Sequence, residues 1–170
     1  MTTITLNDAP NNSLVIQVAD LVISGNVVIE RNTASANAFR LFRHNVPGTF
    51  SLIGVTLRGG LVTGTDGGAA VRSAGTVSLQ NATVQNNITN CASCPGGAVF
   101  APVGVQTVNS TFSGNQTRSG PGSPGGAIFS NGAIELSNSV FDRNIAESGS
   151  CGGAVAATSG PSPSLRVISS

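Results

Sequence analysis

The chain has 170 residues, only 9% of them charged, with a formal net charge of +1 and a mean hydropathy of +0.20. Disordered chains combine low hydrophobicity with high charge, so this composition excludes that class. So small a net charge also gives no electrostatic basis for capturing nucleic acid, and no stretch approaches the ~20 consecutive apolar residues of a membrane-spanning helix, so direct membrane insertion by such a helix is excluded as well.

The opening MTTITLNDAPNN has neither a basic nor an apolar targeting region, so it does not read as a signal peptide. From Thr3 to about Leu57 come short runs rich in Val, Ile, Leu and Phe, at Ile4, Leu14, Leu21, Asn26, Phe39 and Phe50. Each is too short for a helix and is fenced by Gly, Asn, Asp or Pro, which is the signature of strands. Residues 32–37 and 44–48 read as loop. Residues 1–49 keep the strand rhythm without a motif and are expected to form irregular coils or a cap, with at most one helical turn.

From residue 50 onward the text repeats. Glycine pairs open at Gly67-Gly68, Gly96-Gly97, Gly125-Gly126 and Gly152-Gly153, a spacing of 29, 29 and 27 residues. Such a period marks a solenoid, a propeller or an array. Each repeat resolves into three short strands. The middle one places Val77 and Leu79, Val105 and Thr107, Ile134 and Leu136 on one inner face, since side chains alternate across a strand. The same parity carries Asn81, Asn109 and Asn138 inward, where stacked amides would form a ladder. The third strand is anchored by Val84, Phe112 and Phe141 and closes on Asn87, Asn115 and Asn144. Eight or nine variable residues then lead back to the next glycine pair.

Three strands per period, each stacked on its equivalent one turn later, predict an all-β, right-handed parallel β-helix of five to six coils. It is read as one continuous solenoid domain with regular repeats over residues 50–170. The final Leu165–Ser170 aligns with Ile134–Ser139, which reads as a break inside a coil and hence a fragment of a longer β-helix. Its expected partners therefore include adjacent coils of a parent chain.

The pairing of Gly96-Gly97-Ala98-Val99 with Phe112-Ser113-Gly114-Asn115, and of Gly125-Gly126-Ala127-Ile128 with Phe141-Asp142-Arg143-Asn144, resembles the repeats of the polymorphic outer membrane protein family. Gly67-Gly68-Ala69-Ala70 with Val84-Gln85-Asn86-Asn87 is a weaker copy. The resemblance implies a bacterial surface or secreted passenger, exported by an autotransporter route and used in adhesion. A host-surface or carbohydrate ligand is then expected on the loop edge formed by residues 87–95, 116–124 and 145–151.

Little in the sequence carries chemistry. The acids Asp8, Asp20, Glu30, Asp66, Glu135, Asp142 and Glu147 read as solvated surface, with no stacked column holding two of them. His44 is the single histidine and reads as a polar loop residue. Cys91 and Cys94 lack the four ligands of a zinc site and the fold context of a redox motif. They read as a disulfide within the loop or as free thiols, with Cys151 unpaired. The sequons at Asn11, Asn81, Asn87, Asn109 and Asn115 read as structural asparagines. Thr83 and Thr111 share a column as in water-ordering solenoid faces, but Val140 ends it. No catalytic residue, metal site or cofactor is expected. The alternative is a fragment of a β-helix polysaccharide lyase or glycoside hydrolase whose catalytic coils lie elsewhere.

Overall fold

The structure, a computed structural model, describes residues 1–7, 13–64, 66–118, 122–147, 151–158 and 164–169. Among them are 22 strands and no helix. The chain enters along β1 (Thr2–Leu6), β2 (Leu14–Ile16), β3 (Leu21–Ser24) and β4 (Val27–Arg31). A four-sided coil follows, with β5 (Phe42–His44), β6 (Thr49–Ile53), β7 (Thr56–Arg58) and β8 (Leu61–Val62). The next repeats it with β9 (Val71–Ser73), β10 (Thr76–Gln80), β11 (Thr83–Gln85) and β12 (Ile88–Asn90). Then come β13 (Val99–Phe100), β14 (Gly104–Val108), β15 (Thr111–Ser113) and β16 (Gln116–Arg118). The last full coil holds β17 (Ile128–Ser130), β18 (Ala133–Ser137), β19 (Val140–Asp142) and β20 (Ile145–Ala146), before β21 (Val155–Ala157) and β22 (Leu165–Ile168).

Equivalent strands stack into four parallel sheets, giving a β-solenoid of about five turns. Sheet I is β2-β5-β9-β13-β17-β21 and sheet II is β3-β6-β10-β14-β18-β22. Sheet III is β1-β4-β7-β11-β15-β19, and sheet IV is β8-β12-β16-β20. The stretch 1–49 thus supplies five strands to the same sheets as the regular repeats. Its irregularity is one of outline, because sheet IV begins only at Leu61.

The core is a set of columns along the axis. Phe50, Val77, Val105 and Ile134 stack in sheet II and are all fully buried. Leu52, Leu79, Thr107 and Leu136 form the neighbouring inner column. Leu57, Val84 and Phe112 do the same in sheet III, and the Phe112 and Phe141 rings lie parallel, 4.8 Å apart. Each large side chain so buried contributes roughly 1.5–3 kcal/mol. Thr107, a polar residue in an apolar column, satisfies its hydroxyl on Ser139 Oγ at 2.9 Å.

Four sequence expectations need correction. Each coil has four strands rather than three, since Ile88–Asn90, Gln116–Arg118 and Ile145–Ala146, read as variable loop, are sheet IV. They were hidden because they are two or three residues long, with one inward side chain each. The glycine pairs are also out of register by one in the first repeat. Backbone bonds join Gly68 to Gly96, Ala69 to Gly97 and Ala70 to Ala98, so Gly68 is the equivalent of Gly96, and Gly67 that of Pro95. The columns of Gly68, Gly96, Gly125 and Gly152 all have φ near +70°, the left-handed region that glycine enters without strain.

The third correction concerns Asn81, Asn109 and Asn138. They are exposed, with φ of 50°, 49° and 47°, and turn the chain between sheets II and III. The left-handed backbone breaks the strand parity, sends the amide outward and brings Ala82, Ser110 and Ser139 inward. Gly54 (φ 69°) fills the same corner one coil earlier. Exchange of Gly and Asn in one column is the mark of a left-handed residue, because Asn tolerates that conformation best after Gly. The ladder exists, but it is formed by Asn87, Asn115 and Asn144 at the next corner.

The fourth is His44. It is not a loop residue but the end of β5, fully buried. Ser73 Oγ accepts the Gly75 N–H and so donates to His44 Nδ1 at 2.8 Å, while Nε2 points at the Val18 and Ala19 carbonyls at 2.9 and 3.1 Å. This network assigns the proton to Nε2 and pins the segment before β3 to the solenoid.

Candidate functional site

The outer face of sheet III carries a polar cleft of about 290 Å³ over the first coils. Its floor holds Thr5, Glu30 and Arg58, the first members of a column that continues along the sheet through Gln85, Ser113 and Asp142, one residue per rung. Arg58 Nε meets Glu30 Oε2 at 2.5 Å, and the Thr5 hydroxyl donates to Glu30 Oε1 at 2.8 Å. The Thr5 bond foremost, then Arg58, hold the Glu30 carboxyl below its ordinary value of 4.5. Such a carboxylate stays ionised at neutral pH and has no proton to donate as a general acid. Asn32, Thr33 and Asn86 line the walls.

Behind the cleft lies Arg31, 7% exposed. Its guanidinium donates to the Gly59, Asn32, Ser35 and Asn37 carbonyls at 2.8–3.2 Å, which shapes the loop over residues 32–37 around one cation. Burial alone lowers its pKa. The column that holds Glu30 also holds Asp142, so two acids do share a column, contrary to the sequence reading. Four rungs separate them, about 19 Å at ~4.8 Å per rung, whereas paired carboxyls in glycoside hydrolysis lie within about 10 Å.

The loop edge is a second surface, and its first loop is closed by a covalent bond. Cys91 and Cys94 are joined by a disulfide, with Cα atoms 5.6 Å apart. Thr89 Oγ1 donates to the Cys94 carbonyl at 3.2 Å, and Ser123 Oγ from the next coil accepts the Cys94 N–H at 3.0 Å. Val62, Ala69, Cys91 and Cys94 form a small apolar cluster beneath. Cys151 is exposed with a free thiol. The tips of the following two loops, 119–121 and 148–150, lie outside the described residues.

The remaining candidates are scattered. Among the described acids, Asp20 caps the Thr49 N–H, Glu135 accepts from Gln106, Asp142 pairs with Arg143 and Glu147 lies 4.0 Å from Arg118. Asp8 and Asn11 fall outside the described residues. No group of three or more His, Cys, Asp or Glu that could hold a metal ion occurs among the described residues. The asparagines Asn87 and Asn115 are buried, whereas Asn81 and Asn109 are exposed. Thr56, Thr83 and Thr111 form a column of three, one more than the sequence reading found, flanked by Val28 and Val140.

Sequence reasoning missed the Glu30–Arg58 pair and a second cluster around Asp66. Arg40 is 4% exposed and donates to the Gly67 and Gly68 carbonyls at 2.9 and 2.8 Å. Burial pulls its pKa down to about 10, opposed by Asp66 and assisted by Arg43 and Arg72. A usable signal was present, since Glu30 and Arg58, like Arg40 and Gly68, stand 28 residues apart, one turn of the solenoid. The chain is thus an all-β parallel solenoid with a polar cleft on sheet III and a loop edge whose first loop is closed by a disulfide. No family model, no curated protein and no solved structure matches it.

Proposed function

We propose that the chain is a non-enzymatic β-helix module of a cell-surface or secreted protein, an adhesin-like passenger of the kind its polymorphic outer membrane protein-type repeats suggest. The observation that carries this reading is the Cys91–Cys94 disulfide. Disulfides persist in oxidising, extracytoplasmic compartments and are rare in the cytosol. It staples the first of the loops that stack on one edge, where repeat proteins place their binding faces. A loop ordered before binding loses less conformational entropy when a ligand docks. The scattering of the described carboxylates, each with a local hydrogen-bond or ion-pair partner, favours binding over a lyase or hydrolase.

The test is thiol alkylation of the protein recovered from the cells that make it, combined with protease treatment of those cells intact. The reading expects Cys151 alone to be alkylated and the module to be clipped from outside. Alkylation of all three cysteines in a protein shielded from protease would overturn it.

A further inference from the structure

The outward column of sheet I runs Val15, Arg43, Arg72, Phe100, Phe129 and Ala156, one residue per rung. With Arg40 beside it, three of the eight arginines in the chain converge on one carboxylate, Asp66. Locally that is a net charge of +2, from three cations and one anion, in a chain whose total is +1. Arg40 is closed off by backbone carbonyls. Arg43 Nε donates to the Asn45 side-chain oxygen at 3.0 Å and Arg72 Nε is buried, but no cage of carbonyls closes off either guanidinium among the described residues. Asp66 Oδ2 lies 3.5 Å from Arg43 Nη2, and Oδ1 lies 3.3 Å from Arg72 Nε. Both exceed the 2.7–2.9 Å of a charge-assisted bond, and Arg72 Nε donates no hydrogen bond to any described residue. Arg43 and Arg72 are 35% and 25% exposed. The two guanidinium groups therefore share one poorly placed counter-ion.

We propose that Arg43 and Arg72 form a binding site for the carboxylate of an acidic saccharide, with the sugar ring passing over the part of the half-buried Phe100 that Arg72 and Phe129 leave uncovered. Planar guanidinium forks match planar carboxylates. Arg72 stacks over Phe100, 5.6 Å from its centroid, which orients the fork beside an apolar surface. A uronate carries its carboxylate on the ring, so one residue reaches both features. An extended acidic peptide is disfavoured for a specific reason. It binds sheets chiefly by main-chain bonds to a free edge, and β5, β9 and β13 are each paired on both sides. The site adjoins the loop edge, since Asp66 stands one residue before Gly67, the equivalent of Pro95, but it does not depend on the compartment of the protein.

Calorimetric titration of the whole 170-residue chain tests the site with oligogalacturonate, its methyl ester, an oligoglutamate peptide of equal charge and sodium sulfate. Oligogalacturonate is expected to bind, and its affinity to fall at least tenfold, on the order of the loss of one charge-assisted contact, in Arg43→Gln/Arg72→Gln but not in Arg118→Gln. Asp66→Asn, which removes the resident counter-ion, is expected to tighten binding, so the variants move in opposite directions even if the double substitution weakens the fold. Equal binding of the ester, binding of the peptide or sulfate as tight as that of the saccharide, or insensitivity to all three substitutions would each overturn the assignment. So would no binding at low salt, where exposed charges are least screened.

Discussion

The side-chain amide of Asn87 donates to the side-chain oxygen of Asn115 one coil further on, at 3.0 Å, and Asn115 donates to Asn144 in the same way at 2.9 Å. Each oxygen also accepts the backbone N–H of the asparagine before it, and each amide also reaches back to a sheet III carbonyl, Leu57, Val84 or Phe112. The ladder starts on the Gly60 N–H. At this corner strand pairing is interrupted, and the amides supply the partners that the buried backbone would otherwise lack.

Removing the middle amide breaks bonds on both sides. Asn115→Ala would leave the buried Asn87 backbone N–H without its acceptor and remove the amide bonds to Val84 and Asn144, while the Asn87 amide keeps the Leu57 and Gln85 carbonyls. At about 1–3 kcal/mol for a buried unsatisfied group, with the lost amide bonds beside it, a loss of about 2–3 kcal/mol is expected. Urea unfolding measures it, and a change below about 1 kcal/mol would show the ladder to be incidental. Asn115→Asp should not rescue, because an ionised carboxylate accepts but cannot donate.

Asn109 should behave in the opposite way. Its side chain is exposed and its φ is 49°, so backbone conformation is what the position demands. Asn109→Gly is expected within about 0.5 kcal/mol of the parent, and Asn109→Ala to cost about 1 kcal/mol. Equal loss in both variants would mean that the side chain matters after all.

The glycine column after the loops makes a steric prediction. A Cβ on Gly96 would stand 2.2 Å from the Val99 carbonyl oxygen, at a φ of +72°. Gly96→Ala is therefore expected to prevent cooperative folding or to lower the thermal midpoint sharply. Gly64→Ala, whose Cβ would meet nothing within 4 Å, is the control and should melt like the parent.

Glu30 predicts a pH dependence. Its folded pKa is lowered, so its contribution to stability is present above the ordinary 4.5 and is lost as pH falls through the lowered value. For a partly exposed pair the contribution is about 0.5–1 kcal/mol. Glu30→Gln should therefore be less stable than the parent at pH 7 and converge with it in acid. A difference that persists unchanged at pH 2 would point to lost packing instead of lost charge.

How much could be read without coordinates varies by residue. Val77, Leu79, Val105 and Ile134 were legible as core because alternation within a strand is local, and the glycine pairs were legible because the period is long and exact repetition is rare by chance. Asn81 was misplaced because a single left-handed φ inverts every later side chain. Gly54 in the same column carried that information. His44, Arg31 and Arg40 gave no local sign of burial, since their acceptors are carbonyls on neighbouring coils.

The sequence by itself determined that this chain coils, and which residues stack on which in sheets II and III, because equivalent rungs about 4.8 Å apart place like onto like. Only the tertiary structure decided which asparagines form the ladder, that each coil has four sides, and where Glu30, Arg58, Arg43, Arg72 and Asp66 meet. Those outcomes depend on the angle at each corner and on contacts between different strands and coils, and no pattern within a single strand encodes either.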